Sequence, residues 1–502
     1  MKVYDSCRIA IRVAFFGFVL IAIGSFIQNE SVNIFYTFKN TVVLFIADGF
    51  LKIGSIVIVN LPLIFMLNIV CKRANSAYPV CLALVGYFTF EVVTSLFSSN
   101  TLASTAYTNS FSSVLNNTTK LPLELGLIGS FIVAYITRIS FVRSRHRTSF
   151  SLLGFLNKDT AGVVFNIFYC TLAGLVVAYA WPFIFNYIQY VITFISKDLM
   201  DPLRLAVYGM LERFLSVLNL NTIIRQPFWY STLGGSMQTI SGQSIVGDVN
   251  IWNFIKNSSQ SFTGAGRFIT PYYVINMFMV PAIYLAFVLS MSDKNERRRY
   301  LIPCICGIVL TILFGNSLPI ELVMFFSSPL LFVVYLILIG VLFYLFTSLG
   351  VFLGSSILTN TTTTAMPGNF PDFIINLRNI NYTSDLFIIL IIGLIFFIVT
   401  FLVVYLYNRY FAYDLARTGK AEEFSVDIIN AIGGKNNISE VGSGLFKVCI
   451  HLKDLELVDI NAIQKMNIHR VTETKDGIDI ECGSSCVIIT RKINSLLSPN
   501  NS

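Results

Sequence analysis

The sequence predicts a polytopic α-helical membrane protein with about ten spans and re-entrant hairpin segments, followed by a small C-terminal α/β domain. Three observations predict it. Of 502 residues, 55% are hydrophobic and only 12% are charged, against about 25% charged in soluble domains. Continuous apolar runs cover 9–27, 41–71, 162–195 and 385–408, each of a length that suits a transmembrane helix. Beyond residue 421 the charge content becomes ordinary and short alternating runs replace long apolar ones. Barrel strands alternate, so the continuity of the apolar runs argues against a transmembrane barrel.

The first run lacks a small-residue cleavage site and is followed by further spans, so it reads as a retained first helix. The formal net charge of +8 comes in short loops: Lys72-Arg73, the cluster Arg143, Arg145, His146 and Arg147, and Arg297-Arg298-Arg299. Basic loops between spans mark the cytoplasmic side, not a nucleic-acid surface. With both the N-terminus and the C-terminal domain inside, an even number of spans is expected. The membrane part, 1–411, is interrupted at 196–270, where Arg204, Glu212, Arg213 and Arg225 appear and Gly, Ser and Asn accumulate. Polar segments at membrane depth survive only when buried in protein or lining a wet cavity. A substrate cavity is therefore expected from 212–235, 262–275 and 314–325. The polar stretch 358–371 reads equally as a re-entrant segment or an external loop.

Residues 412–420 read as a linker and 421–495 as the α/β domain. There, LFKVCIHL (445–452) alternates and predicts a strand with Val448, Ile450 and Leu452 on one face. NAIQKM (461–466) opens like a capping box on Asn461 and Gln464. GIDIEC and SCVIITR predict two more strands. The nine cysteines show no paired CxxC spacing, so no zinc site, other metal or cofactor is expected and reduced thiols are the default. The three histidines, His146, His451 and His469, lie outside the apolar runs, which excludes an imidazole relay within the membrane.

One carboxylate stands inside an apolar run, in FGNSLPIELVMFFSSPL (314–330). At the bilayer centre a carboxylate costs ~2.5–3.5 kcal/mol on insertion scales, so Glu321 is expected to face a cavity and serve a function. Pro319, which has no backbone N–H, is expected to break the helix, as in the discontinuous helices of transporters. The alternative is that Glu321 ends a span at the membrane surface.

The segment GNSLPIELVMFFSSPLLFVVYLILIGVLFYL resembles the GITEPIEF…F..P.LY segment of the membrane domain (IIC) of glucose-superfamily sugar permeases of bacterial phosphotransferase systems. Further segments are similar in the same order. NLPLIFMLNI (60–69) resembles LPLIFAIGVA, and ERFLSVLNLNTIIRQPFWY (212–230) resembles ER.L.P.GLHH…FW. TGAGRFITPYYVINMFMVPAIYLA (263–286) resembles TAG.FMTGFFPIMMFGLPAAALA, and PDFIINL (371–377) resembles IDY.LN. The stretch AEEFSVDIINAIGGKNNISEV (421–441) looks like the opening of the phosphocysteine (IIB) domain. The resemblance implies a homodimer in the bacterial inner membrane, with the C-terminal domain cytoplasmic, that binds glucose, N-acetylglucosamine or a related sugar. It places Glu321, as the second glutamate of GITEPIE, on the sugar's hydroxyls. Asn221, Thr222, Arg267 and Asn316 are the other candidate substrate contacts; Arg267 could equally pair with Glu321 or anchor an interface.

Departures from the family pattern bear on the chemistry. The phosphocysteine of the CITRLR motif falls on Gly444, which has no nucleophile, and its arginines fall on Lys447 and Cys449. The family's histidine pair falls on Asn221-Thr222, and the first glutamate of GITEPIE falls on Leu318. A sugar carrier that does not phosphorylate through its own IIB-like domain is the expectation. The alternatives are a sugar sensor that docks phosphotransfer proteins and a phosphotransferase using a displaced cysteine or a separate IIB. Cys449, Cys482 and Cys486 are expected to be packing residues. Partners implied are the sugar, the lipid bilayer, a phosphocarrier (IIA) protein or a separate IIB, and a second copy.

Overall fold

The computed structural model describes residues 2–28, 38–73, 77–97, 125–145, 158–240, 242–256, 258, 260–291, 294–355, 367–377, 383–410, 421–444, 447–466, 468, 470–474, 476–482 and 486–497. The expected linker 412–420, most of the polar stretch 358–371, and His146, Arg147 and His469 lie outside them. The chain begins with α1 (Lys2–Gln28), α2 (Thr41–Val59), α3 (Leu61–Arg73), α4 (Tyr78–Phe97), α5 (Gly126–Arg145) and α6 (Lys158–Ser196). Then come α7 (Pro202–Val217), α8 (Thr222–Tyr230), a hairpin of β1 (Ser236–Gln238) and β2 (Ser244–Val246), and α9 (Asp248–Lys256). The last helices of this part are α10 (Thr270–Leu289), α11 (Lys294–Phe314), α12 (Leu318–Ser327), α13 (Pro329–Leu349), α14 (Phe370–Leu377) and α15 (Thr383–Tyr410).

Eight helices among the described residues are long and apolar enough to cross a membrane, and 61–71, 300–314 and 318–327 add shorter apolar helices. The protein is a helical membrane protein. Local chemistry explains where the runs break. The apolar stretch 41–71 is two helices, because Asn60 closes α2 by donating its side-chain amide to the Ile56 carbonyl at 2.9 Å. Asp201 caps α7 by accepting from the Leu203 amide, with Pro202 in the first turn where no N–H is needed. Gly350 ends α13 in the left-handed conformation, φ 66°.

Small residues let helices approach. Gly209 of α7 lies against the Phe343 ring of α13, and Gly340 of α13 against Met210. Tyr208 packs edge-on against Phe228, Phe268 and Phe343, and its hydroxyl accepts from Trp229 Nε1 at 2.8 Å. This apolar packing joins α7, α8, α13 and the 262–275 segment beside the candidate site.

Residues 421–497 build a separate apolar cluster, with Phe424, Ile428, Val448, Ile450, Ile478, Ile480, Ile489 and Ile493 buried together. The elements are α16 (Ala421–Ala431), β3 (Ile438–Ser443), β4 (Lys447–Leu452), α17 (Ile460–Lys465), β5 (Arg470–Thr474), β6 (Gly477–Glu481) and α18 (Cys486–Leu497). The strands form one antiparallel sheet in the order β3-β4-β6-β5. Val448, Ile450 and Leu452 are buried on one face of β4. Two expectations are corrected. Of SCVIITR, Ser485 lies outside the described residues and 486–491 is helix, not strand: Cys486, Ile489, Thr490 and Ile493 are buried at helical spacing, and that period outweighs the β-branched composition. The cap of α17 is Asp459, whose carboxylate accepts from the Ala462 amide, rather than Asn461.

Candidate substrate site

Glu321 sits in the first turn of α12 and is 0% exposed. The break before it comes from Gly315, at φ 70°, and the two residues after it. Contrary to the expectation from sequence, Pro319 does not cause the break but occupies the first turn of the next helix, where its missing N–H costs nothing. A carboxylate there also meets the partial positive charge of the helix N-terminus.

Side chains from two other helices contact it, and a third helix covers one of them. Arg213 of α7 donates through Nη1 to Glu321 Oε1 at 3.1 Å and to Ser317 Oγ at 2.9 Å. The Tyr335 hydroxyl of α13 donates to the same Oε1 at 2.8 Å. The Arg213 guanidinium lies over the Tyr272 ring of α10, 4.4 Å from its centroid. Glu212, next to Arg213 on α7, faces Arg213 Nε at 3.3 Å and accepts from Arg225 Nε of α8 at 2.6 Å. Arg225 in turn lies over the Trp229 ring. Two carboxylates and two guanidiniums thus balance one another in a buried row. Glu321 Oε2 and the buried hydroxyl of Tyr230 have no hydrogen-bond partner. A void of about 10 Å³, the size of a single water, is lined by Tyr335 together with Ile283, Met324, Leu331 and Thr400.

The three segments expected to form a cavity, 212–235, 262–275 and 314–325, therefore do meet, at Arg213, Tyr272 and Glu321. Glu321 is not at a helix end on the protein surface. Asn316 is buried in the same turn as Ser317, and its carbonyl accepts from Thr311 Oγ1 at 3.3 Å. Asn221 and Thr222 start α8, half-buried, and the Asn221 carbonyl accepts from the Arg225 amide at 2.9 Å. Arg267 stands apart from Glu321. Its guanidinium donates to the carbonyls of Gly264, Thr263 and Leu199, at 2.6, 2.9 and 3.3 Å, and faces Asp248 at 4.0 Å. Asp248 also accepts from the Gly266 amide at 2.9 Å, so this pair fixes the 263–267 loop.

Tyr335, Tyr272 and Asp248 were not singled out by sequence, and Arg225 was noted only as a charge. A lone phenol in the run LLFVVYLILIG was the available signal for Tyr335. Arg225 follows Glu212 by 13 residues across an irregular turn, a separation that no helical period connects.

In the C-terminal unit, Gly444 lies in the turn between β3 and β4, and its amide donates to the Lys447 carbonyl at 2.8 Å. Lys447 Nζ is tied to Asp479 at 2.8 Å, and both are buried. The thiol that touches Gly444 is Cys486, whose Sγ lies 2.9 Å from the Gly444 carbonyl oxygen. Cys449 is half-buried in β4, opposite Gly442 and Asp479. Cys482 and Cys486 are buried, and burial pushes the Cys482 thiol well above the ordinary range, away from the thiolate form. Among the described residues no cluster of metal-ligating side chains occurs.

No protein-family model matches the chain. The resemblance to phosphotransferase permeases rests on the quoted segments alone.

Proposed function

We infer that the protein is a membrane carrier of phosphotransferase-permease type, in a bacterial cytoplasmic membrane, which binds a hexose or amino sugar at Glu321. It moves the sugar by alternating access without phosphorylating it through its own IIB-like domain, 421–495. The single observation supporting this is the state of Glu321: one carboxylate oxygen is fixed by Arg213 and Tyr335, and the other has no partner. A carboxylate fixed in this way accepts from sugar hydroxyls in charge-assisted bonds, which are about twice as strong as neutral ones. Asn221, Thr222 and Asn316 are candidates for further hydroxyl contacts; Arg267 is assigned to holding its own loop.

With glycine at the phosphocysteine position and the thiol that touches it, Cys486, buried, transport gains no free energy from phosphoryl transfer through this domain. Movement is then facilitated and reversible unless an ion is coupled to it. A phosphocarrier protein or separate IIB and a second copy of the chain are the partners this reading includes.

A second reading is favoured by the charge balance of the row. Glu212, Arg213, Arg225 and Glu321 could act only as a clamp that holds α7, α8 and α12 together. Equilibrium binding of labelled glucose and N-acetylglucosamine to the purified protein separates the two. For the carrier, Glu321→Gln weakens binding by ~1.5–3 kcal/mol, roughly tenfold to a hundredfold. For the clamp, the same change lowers thermal stability, and wild type and variant share the same sugar affinity or the same lack of it.

A further inference from the structure

Helix α4 carries another buried carboxylate, which the sugar site does not use. Glu91 is 7% exposed. It lies about 20 Å along the helix from Tyr78 and about 9 Å from Phe97 at 1.5 Å per residue, within the span and not at its end. The other buried acids of the membrane part are answered by the protein itself. Glu212 has Arg213 and Arg225, Glu321 has Arg213, Asp248 has Arg267, and Asp372 has the Gly368 amide. Glu91 has only Tyr87, one turn earlier on the same helix, and its Oε2 has no hydrogen-bond partner. No ion pair to Glu91 occurs among the described residues.

Among the described residues, no cation of the helices packed on α4 is paired with Glu91. On α6, Cys170 and Asn166 lie against Gly86, and Gly174 lies against Val93 and the Phe90 carbonyl. On α5, Gly129 lies under the Phe90 ring, while Tyr135, Arg138, Arg143 and Arg145 are exposed. On α3, Cys71 is exposed, and Lys72 and Arg73 close the helix at its C-terminal end. Tyr87 is the titratable group that contacts Glu91, and Cys170 lies against Gly86. An ionised carboxylate buried without a cation costs several kcal/mol, and no described residue supplies the balancing charge. A hard metal cation needs a shell of oxygens. Here the Thr94 hydroxyl turns back onto the Glu91 carbonyl at 3.0 Å, and the helix carbonyls are used by the helix. A proton needs one oxygen, and one is available.

We propose that Glu91 is a proton-binding site within the membrane and that sugar crosses together with a proton carried there. The step forms one O–H bond with a proton from one compartment and breaks it to water in the other. The coupling rests on the carrier reading; the proton site does not.

The test uses the full chain in proteoliposomes with labelled glucose or N-acetylglucosamine. With the potential clamped and the outside one pH unit more acidic, the wild type accumulates sugar up to about tenfold, because one proton descends the gradient with each sugar. Glu91→Gln only equilibrates, yet exchanges internal for external sugar at equal pH within about twofold of the wild-type rate. Glu91→Asp restores accumulation. In parallel, infrared difference spectra across a pH change show a protonated-carboxyl band that Glu91→Gln removes. Accumulation that ignores the pH gradient, follows a sodium gradient instead, or persists in Glu91→Gln overturns the coupling. An infrared band unchanged in Glu91→Gln overturns the proton site. Absence of exchange in the wild type sinks the carrier reading and the coupling with it, and the infrared result still decides the proton site.

Discussion

Arg213 is the residue on which the buried row depends, because it serves both carboxylates. Replacing it with methionine leaves Glu212 and Glu321 with one guanidinium between them, at a cost of about 3–5 kcal/mol for a buried pair broken on one side. Glu321→Gln alone is milder, since the amide keeps its shape and can still accept from Tyr335. The double variant Arg213→Met/Glu321→Gln is expected to recover part of the loss, because the carboxylate stranded by the first change is then gone. Melting of the four proteins in detergent checks this; strictly additive losses would show the two residues to be uncoupled. At the same scale, the thiols of the C-terminal unit should differ in reactivity. Cys449, half-buried, reacts with a maleimide in the native protein, whereas Cys482 and Cys486, 1% and 0% exposed, react only after unfolding. Mass spectrometry of the labelled peptides gives the order.

Among the elements, the 263–270 segment is held by backbone fit as well as by Arg267. Gly266 has φ 89°, and a Cβ there would run into the backbone of Leu353 and Gly354. Gly266→Ala therefore combines a left-handed conformation, unfavourable by about 1–2 kcal/mol, with a clash that no side-chain rotation relieves. The expected result is a lower melting temperature and loss of the Thr270–Leu353 contacts; an unchanged melting temperature would show that the two loops can separate. Elements of this kind mark the limit of what the sequence made legible. Long apolar runs located the spans because one strong signal, hydropathy, decides them. The runs 9–27 and 385–408 lie within α1 and α15. The division of 41–71 at Asn60 and the helical state of 486–491 depend on caps and packing partners, which hydropathy does not carry. At the site, Glu321 was legible because a charge in an apolar run is rare. Its partners were not, because Arg213, Tyr272 and Tyr335 come from helices far apart in the chain. Glu91 stands in an apolar run as plainly as Glu321 does, but no motif marks it.

At the scale of the whole molecule, a membrane part with a closed polar row is joined in one chain to a sheet unit with no cysteine at position 444. If the two still act as sugar site and inactive phosphotransfer module, incubation with labelled phosphoenolpyruvate and the general phosphotransfer enzymes should leave the chain unlabelled. Label that Cys449→Ser or Cys486→Ser removes would instead make it a phosphotransferase with a displaced nucleophile. On the carrier reading, the buried carboxylate of α12 holds sugar as it crosses the bilayer. Uptake of labelled glucose or N-acetylglucosamine into proteoliposomes without phosphoenolpyruvate decides this. With no ion gradient, the wild type is expected to bring internal sugar to the external concentration, unphosphorylated, and Glu321→Gln to need roughly tenfold or more sugar for the same rate. No flux with any sugar, or equal flux at equal concentration in Glu321→Gln, would contradict it.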